Sequence, residues 1–348
     1  MKARVERFLR ESWSGAGGLV GRVARVLATP AEILFRIGVA ARNRAYDAGL
    51  FRVHHVPAAA VVSVGNLVVG GTGKTPVSAW LARELAGAGR ATAIVTRGYG
   101  RDEIELHRRW NPSVPVYAGR DRVRAALDAI RGDREVLVLD DGFQHRRLAR
   151  DLDVVLLAAE QPLPGRLLPA GPYREAPEAL RRAQVALVTY RVAPEPEAAR
   201  MASRLAADFP GLQVGILRLA AAGWADLEGG SVAAPSGSLT AVTSVARPGD
   251  FQRLVTDMTG TRPVCLAFPD HHEFSSEDVD HIRRAAGEGT VVTTEKDAVK
   301  LKRFVDALPP VRVLALRVEP GPGAAGVLGR ILEITSKPRP RAAGAAEG

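Results

Sequence analysis

Apolar residues along this chain recur with two different periods, and the changes of period divide it into four stretches. Over residues 1–50, Leu19, Val20, Val23, Val26 and Leu27, then Ile33, Leu34, Phe35, Ile37 and Val39, are interleaved with Arg22, Arg25, Arg36 and Arg42. This spacing predicts one or two basic amphipathic helices, broken near Pro30. The apolar side of such a helix either packs on the protein or lies in an anionic lipid interface. Over residues 51–190 the pattern changes to short continuous apolar runs at 59–64, 91–96, 136–139, 154–158 and 185–189, with a helical period over 76–88. Runs of that length predict buried parallel strands, and their alternation with helices predicts a doubly wound α/β sheet. Residues 191–335 repeat the alternation more loosely, with strand-like runs at 214–217, 239–245, 264–267, 291–294 and 311–316, and predict a second, smaller α/β lobe. The tail, 336–348, ends in the low-complexity run KPRPRAAGAAEG and is expected to be disordered.

Composition narrows the partners. Of the 348 residues 48 are Lys or Arg and 38 are Asp or Glu, a formal net charge of +10. A surplus of that size favours an anionic partner: phosphate, acidic lipid or nucleic acid. The single cysteine, Cys265, rules out an intrachain disulfide and fits a reducing compartment. Neither a secretory signal nor a run of eighteen apolar residues is evident, which predicts a soluble or peripheral cytoplasmic protein. Cys265, His271 and His272 lack the ligand count of a zinc site.

The chemistry begins in VVSVGNLVVGGTGKTPVSAWLARELA, where a strand, a glycine-rich turn and a helix follow one another. Gly70, Gly71, Thr72 and Gly73 form a turn whose N–H groups can surround phosphate oxygens. Lys74 reaches the β- and γ-phosphates, the Thr75 hydroxyl binds Mg²⁺, and the following helix points its positive end at the anion. The strict pattern would place Gly at position 68; this chain has Val68 and crowds its glycines against the lysine. A P-loop NTPase-like fold that binds ATP and Mg²⁺ follows. The run 136–139 then delivers Asp140 and Asp141 to the strand's C-terminal end, where P-loop enzymes place a metal-coordinating acid. Phe143, Gln144 and His145 follow at once.

Taken together, SVGNLVVGGTGKTP, TRGYGR, DDGFQHRRLARDLDVV, LLPAGPYRE, FPDHHEF and TEKDAVK, in this order, closely resemble the tetraacyldisaccharide 4′-kinases over roughly residues 30 to 335. The resemblance implies transfer of the γ-phosphate of ATP to the 4′-hydroxyl of tetraacyldisaccharide 1-phosphate in lipid A synthesis. It also implies attachment at the cytoplasmic face of the inner membrane through the N-terminal helices, with anionic lipid as a partner and no nucleic acid. It carries over the family's histidine to His271 and its catalytic aspartate to Asp102, the latter across a loop shortened directly after Arg101, with Asp121 in reserve. Arg174 is implied to stabilise the transferring phosphoryl group, Glu175 to join Thr75, Asp140 and Asp141 around Mg²⁺, and Gln144 to serve the nucleotide. Thr294, Glu295, Lys296 and Asp297 either shape the site from the second lobe or simply cap a helix.

Two other readings compete. A P-loop switch or partitioning ATPase with a nucleic-acid or protein partner would carry a lysine where this chain has Val69, and would have no use for the DHHEF segment. A non-catalytic nucleotide-binding adaptor would not need Lys74, Thr75 and Asp140.

Overall fold

The computed structural model describes residues 12–13, 17–98, 100–337 and 339. The continuous apolar runs become the centre of a twelve-stranded sheet. Its strands are β1 (Ala60–Asn66), β2 (Thr92–Thr96), β3 (Val116–Ala118), β4 (Val136–Asp140), β5 (Leu152–Ala158), β6 (Val185–Tyr190), β7 (Gln213–Ala225), β8 (Ser231–Val232), β9 (Leu239–Thr243), β10 (Val264–Ala267), β11 (Thr290–Thr294) and β12 (Val311–Pro320). Their order is β10-β9-β11-β12-β7-β6-β5-β1-β4-β2-β3, with β8 beside β7. Every residue of β1, β2, β4 and β5 is buried, as strands covered on both faces must be.

The helices are α1 (Gly18–Leu27), α2 (Thr29–Asp47), α3 (Lys74–Gly87), α4 (Arg101–Trp110), α5 (Arg122–Arg131), α6 (Glu195–Asp208), α7 (Pro248–Thr259), α8 (Ser276–Ala286), α9 (Glu295–Leu301) and α10 (Ala324–Ser336). Helix α3 buries Val77, Trp80, Leu81 and Leu85 against one face of the sheet, beside Val327 and Ile331 of α10. On the opposite face Val123, Ala126 and Ala129 of α5 pack against Val61, Val95 and Leu137.

The second lobe expected from residue 191 is not a separate sheet. β7 pairs in parallel with β6, from Val185↔Gln213 to Tyr190↔Arg218, so the sheet runs on across residue 190. The join to β9–β11 is the long antiparallel pair of β7 with β12, from Val313↔Ala225 to Pro320↔Leu217, bulged at Ala315/Leu316. All pairings other than β7 with β12 and β7 with β8 are parallel.

At the N-terminus the break between helices falls at Ala28, and Pro30 sits in the first turn of α2, where its missing N–H costs nothing. Phe35 packs half-buried on the core, but most of the apolar side faces outward: Leu19, Leu27 and Leu34 are 72%, 75% and 71% exposed, with Val20, Val26, Ile33 and Ile37 beside them. The other side of α2 is tied down by polar contacts. Buried Glu32 accepts from Arg166 Nε and the Leu167 N–H, both at 2.8 Å. Arg42 donates to the Gln144 carbonyl at 2.5 Å, and Asn43 to Glu175 Oε2 at 2.7 Å. Residues 1–11 and 14–16 of the N-terminal reading, and 338 and 340–348 of the tail, lie outside the described residues. Within the tail, Ser336 still belongs to α10, and Arg339 pairs with Asp151 at 2.7 Å.

Candidate active site

The parallel strands end on one edge, and a cleft of about 560 Å³ opens there. Crevices outside the carboxyl ends of the strands are the ordinary ligand site of open α/β sheets. The turn after β1 forms one wall. Gly70, Gly71 and Gly73 have φ of 73°, 74° and 81°, the left-handed region that glycine alone enters freely. Gly73 is also the N-cap of α3, and a Cβ there would collide with Leu219. Thr72 is buried; its hydroxyl accepts from Asn66 Nδ2 at 2.8 Å and its carbonyl from Thr189 Oγ1 at 2.9 Å. Arg191 donates to the Gly71 carbonyl at 2.8 Å. The turn is thus pinned from β1 and from the end of β6, with Lys74 and Thr75 opening α3 on the cleft wall. Val68 lies outside the tight turn: it is buried in an extended bridge with Tyr173, where a β-branched residue is at ease.

The two aspartates that end β4 have different surroundings. Asp140 is buried; Ser78 Oγ donates to its Oδ1 at 2.9 Å, and His107 Nε2 lies 3.0 Å from its Oδ2. Burial works to raise its pKa, but His107 and Ser78 outweigh it and hold the carboxyl below its usual value. Asp141, with φ of 51°, turns into the cleft, 3.4 Å from Lys74 and 3.2 Å from Arg174. Burial opposes ionisation there too, yet Lys74, Arg174 and Arg122 keep the group ionised far below the ordinary carboxylate range.

Facing the cradle from the far half are Asp270 and His271 after β10, and Glu295 and Lys296 at the start of α9. His271 has φ of 58°, a strained value for a side chain with a Cβ and a common mark of functional positions. Its Nδ1 lies 3.8 Å from Asp102 Oδ2 and its Nε2 3.2 Å from Lys296 Nζ. Burial and the Lys296 charge lower its pKa, so the imidazole is neutral at neutral pH.

Several residues expected at the site are placed elsewhere. Asp102 is buried behind His271 instead of standing on the cleft wall. The neighbouring Glu103 lines the cleft, its pKa pushed up to about 7 by burial and by Asp140. Asp121, the reserve aspartate, caps α5 through the Val123 and Arg124 N–H groups. Gln144 is outside the cleft lining; it donates to the Asn66 carbonyl at 2.8 Å and accepts from Arg174 at 3.5 Å. Glu175 is not beside the metal-side aspartates. It points the opposite way from Arg174, buried in a two-bond pair with Arg182 at 2.9 and 3.1 Å and held by Asn43. Residues 172–174 run extended beside Val68, so consecutive side chains face opposite ways. We expect Glu175→Gln to unseat a buried ion pair, an effect of about 3 kcal/mol. The melting temperature should drop by several degrees while the Mg²⁺ concentration for half-maximal turnover stays within twofold; a shift of tenfold or more would return Glu175 to the metal.

Against this geometry, the profile of the tetraacyldisaccharide-1-P 4′-kinase family matches residues 24–107 and 102–334. The chain belongs to the tetraacyldisaccharide 4′-kinase family. The two matched segments overlap on α4, over residues 102–107. The tetraacyldisaccharide 4′-kinase of Anaeromyxobacter dehalogenans strain 2CP-C is 38% identical over 338 residues, covering 88% of this chain and 89% of that one. That of Syntrophus aciditrophicus is 35% identical, covering 83% and 88%. Among solved structures, LpxK from Aquifex aeolicus in complex with ATP superposes with a TM-score of 0.70 at 27% identity, over 90% of this chain and 99% of that one. A family of kinases built on this α/β fold leaves the partitioning ATPase without support.

Proposed function

We propose that the chain transfers the γ-phosphate of ATP to the 4′-hydroxyl of tetraacyldisaccharide 1-phosphate, as its family's name states, in lipid A synthesis. The observation that carries this reading is the meeting, across one cleft, of the cradle at 70–75 with the Asp102–His271 pair. Phosphoryl transfer is mostly positioning and charge neutralisation. The turn's N–H groups and Lys74 hold the phosphates, and Arg174 meets charge on the transferring group. A sugar hydroxyl is a weak nucleophile and needs a base. Asp102 and His271 act as one unit: neutral His271 stands on the cleft wall to receive the proton, and the carboxylate behind it steadies the resulting imidazolium.

The residues present fit a Mg²⁺ ion. Among the described residues no three acidic, His or Cys side chains gather into an all-protein cage. Mg²⁺ at a nucleotide site takes one or two carboxylates and otherwise phosphate and water oxygens. Thr75, Asp141 and, through its buried carboxylate, Asp140 would hold it, and when bound it neutralises charge on the phosphates.

No helix among the described residues is long and apolar enough to cross a membrane. The outward apolar side of α1 and α2, with Arg22 and Arg36 exposed on the same helices, supports a peripheral attachment to anionic lipid, at the cytoplasmic face of the inner membrane. Each buried Leu is worth about 1.5–3 kcal/mol. Leu27→Asp with Leu34→Asp should therefore weaken binding to anionic vesicles at least tenfold, and undiminished co-sedimentation would remove the lipid contact. The activity itself is tested by following labelled γ-phosphate from ATP to tetraacyldisaccharide 1-phosphate in detergent. ATP binding without labelled lipid would overturn the acceptor assignment.

A further inference from the structure

The TEKDAVK segment ends in Lys300, a residue the phosphotransfer reading leaves without a role. Its ammonium is buried between α9 and α4. Nζ donates to Ser244 Oγ at 2.7 Å and lies 3.4 Å from Asp297 Oδ1 and 3.8 Å from Asp102 Oδ2. The ring of Phe274 is below it, 5.7 Å away. Asp297, fully buried, is already well satisfied. It accepts from Thr243 Oγ1 at 3.1 Å, the Ser244 N–H at 3.0 Å, Thr294 Oγ1 at 2.8 Å, and Ser244 Oγ. Hydrogen bonds of this number sustain a buried carboxylate without help from a cation. Asp102 differs: among the described residues its Oδ1 accepts the Glu103 N–H alone, and its buried Oδ2 has no hydrogen-bond partner. What faces that oxygen is Lys300 on one side and His271 on the other, each at 3.8 Å.

We propose that Lys300 is a positioning residue for Asp102, holding its carboxylate against His271 from the far half of the sheet. The inference rests on the reading of Asp102 and His271 as the acid–base unit. Lys300 is not on the cleft wall and touches neither the cradle nor the nucleotide side. Its approach to the acid–base pair is through the Asp102 carboxylate, 3.8 Å away. Helix α4 bears Asp102, whereas β9 and α9 bear Ser244's strand end, Asp297 and Lys300. The ammonium bridges the two halves at the point where the base must be aimed.

A double-mutant cycle on the full chain tests this, with kcat and the KM for ATP measured on tetraacyldisaccharide 1-phosphate in detergent. Lys300→Met should lower kcat by 10- to 100-fold with the KM for ATP within twofold. In an Asp102→Asn background the same change should cause no further loss. If Asp102→Asn leaves kcat intact, the acid–base reading fails. If Asp102→Asn lowers kcat but Lys300→Met does not, the role of Lys300 alone fails. Equal losses in both backgrounds would show Lys300 acting independently of Asp102, which also overturns the proposal. Where Lys300→Met does not fold, Asp297→Asn with Lys300→Met removes the buried pair together. That variant should fold and keep the low kcat, and wild-type turnover in it would mean that Lys300 serves only to neutralise Asp297.

Discussion

Lys74→Ala is expected to abolish phosphate transfer, with kcat/KM for ATP lowered by at least 10³-fold. The ammonium opens α3 on the cleft wall and is 3.4 Å from Asp141. Removing it does two things at once. The phosphates lose the cation that a P-loop lysine places on them, and Asp141 loses one of the three cations that keep it ionised beside them. The remaining carboxylate then faces the incoming phosphates with less compensation, so binding and turnover both suffer. The fold should survive, because Lys74 is at the cleft surface and the packing of α3 depends on Val77, Trp80, Leu81 and Leu85. Unchanged melting temperature with lost transfer is the expected pair of results; transfer within tenfold of wild type would displace Lys74 from the phosphate site.

Asp102→Asn and His271→Gln should each lower kcat by about 10²–10⁴-fold, the range for losing a general base. The KM for ATP should change little, since neither residue is part of the cradle at 70–75. Because the two act as a unit, the double variant should lose little more than the worse single one. Glu103 sharpens the test: it lines the cleft 4.0 Å from His271 and its pKa lies at about 7. If Glu103→Gln cost 10³-fold while Asp102→Asn cost nothing, the proton would pass to Glu103 and the assignment of the pair would fall.

The strands and the phosphate turn were legible because they rest on one-dimensional signals. A fully buried strand is a continuous apolar run, so β1, β2, β4, β5 and β6 stand out within a residue or two of their bounds. The glycines at 70, 71 and 73 stand out because left-handed backbone leaves few alternatives. Helix α4 was not legible. RDEIELHRRW has six charged residues among its ten, and beside buried Leu106 it is fixed by His107 on Asp140 and Trp110 on Glu295, partners that are distant in the chain. The same holds for Glu175: the resemblance implies a place at the Mg²⁺, while the extended backbone turns it away from Arg174 and toward Arg182 and Asn43. The bond between Asn43 and Glu175 joins residues far apart in the chain and leaves no local sequence signal. The continuity of the sheet across residue 190 was not legible, because strand pairing there is set by partners far along the chain.

Helix α2 is held from inside by Glu32, Arg42 and Asn43 and presents Ile33, Leu34 and Ile37 outward. From Leu34 to Asn43 is nine residues, about 13 Å along the axis at the rise of an α-helix. That rod makes the helix a gauge. Any plane laid on its apolar side is at a fixed height from the loops that seat Asp141 and Arg174. On the proposed lipid attachment, an acceptor whose tails stay in that plane is offered to the cleft at one depth only, and its head group, not its tails, has to span the gap. Discrimination among acceptors then becomes a question of reach: a sugar unit more or less would miss the phosphate by its own length, however well it matched the pocket.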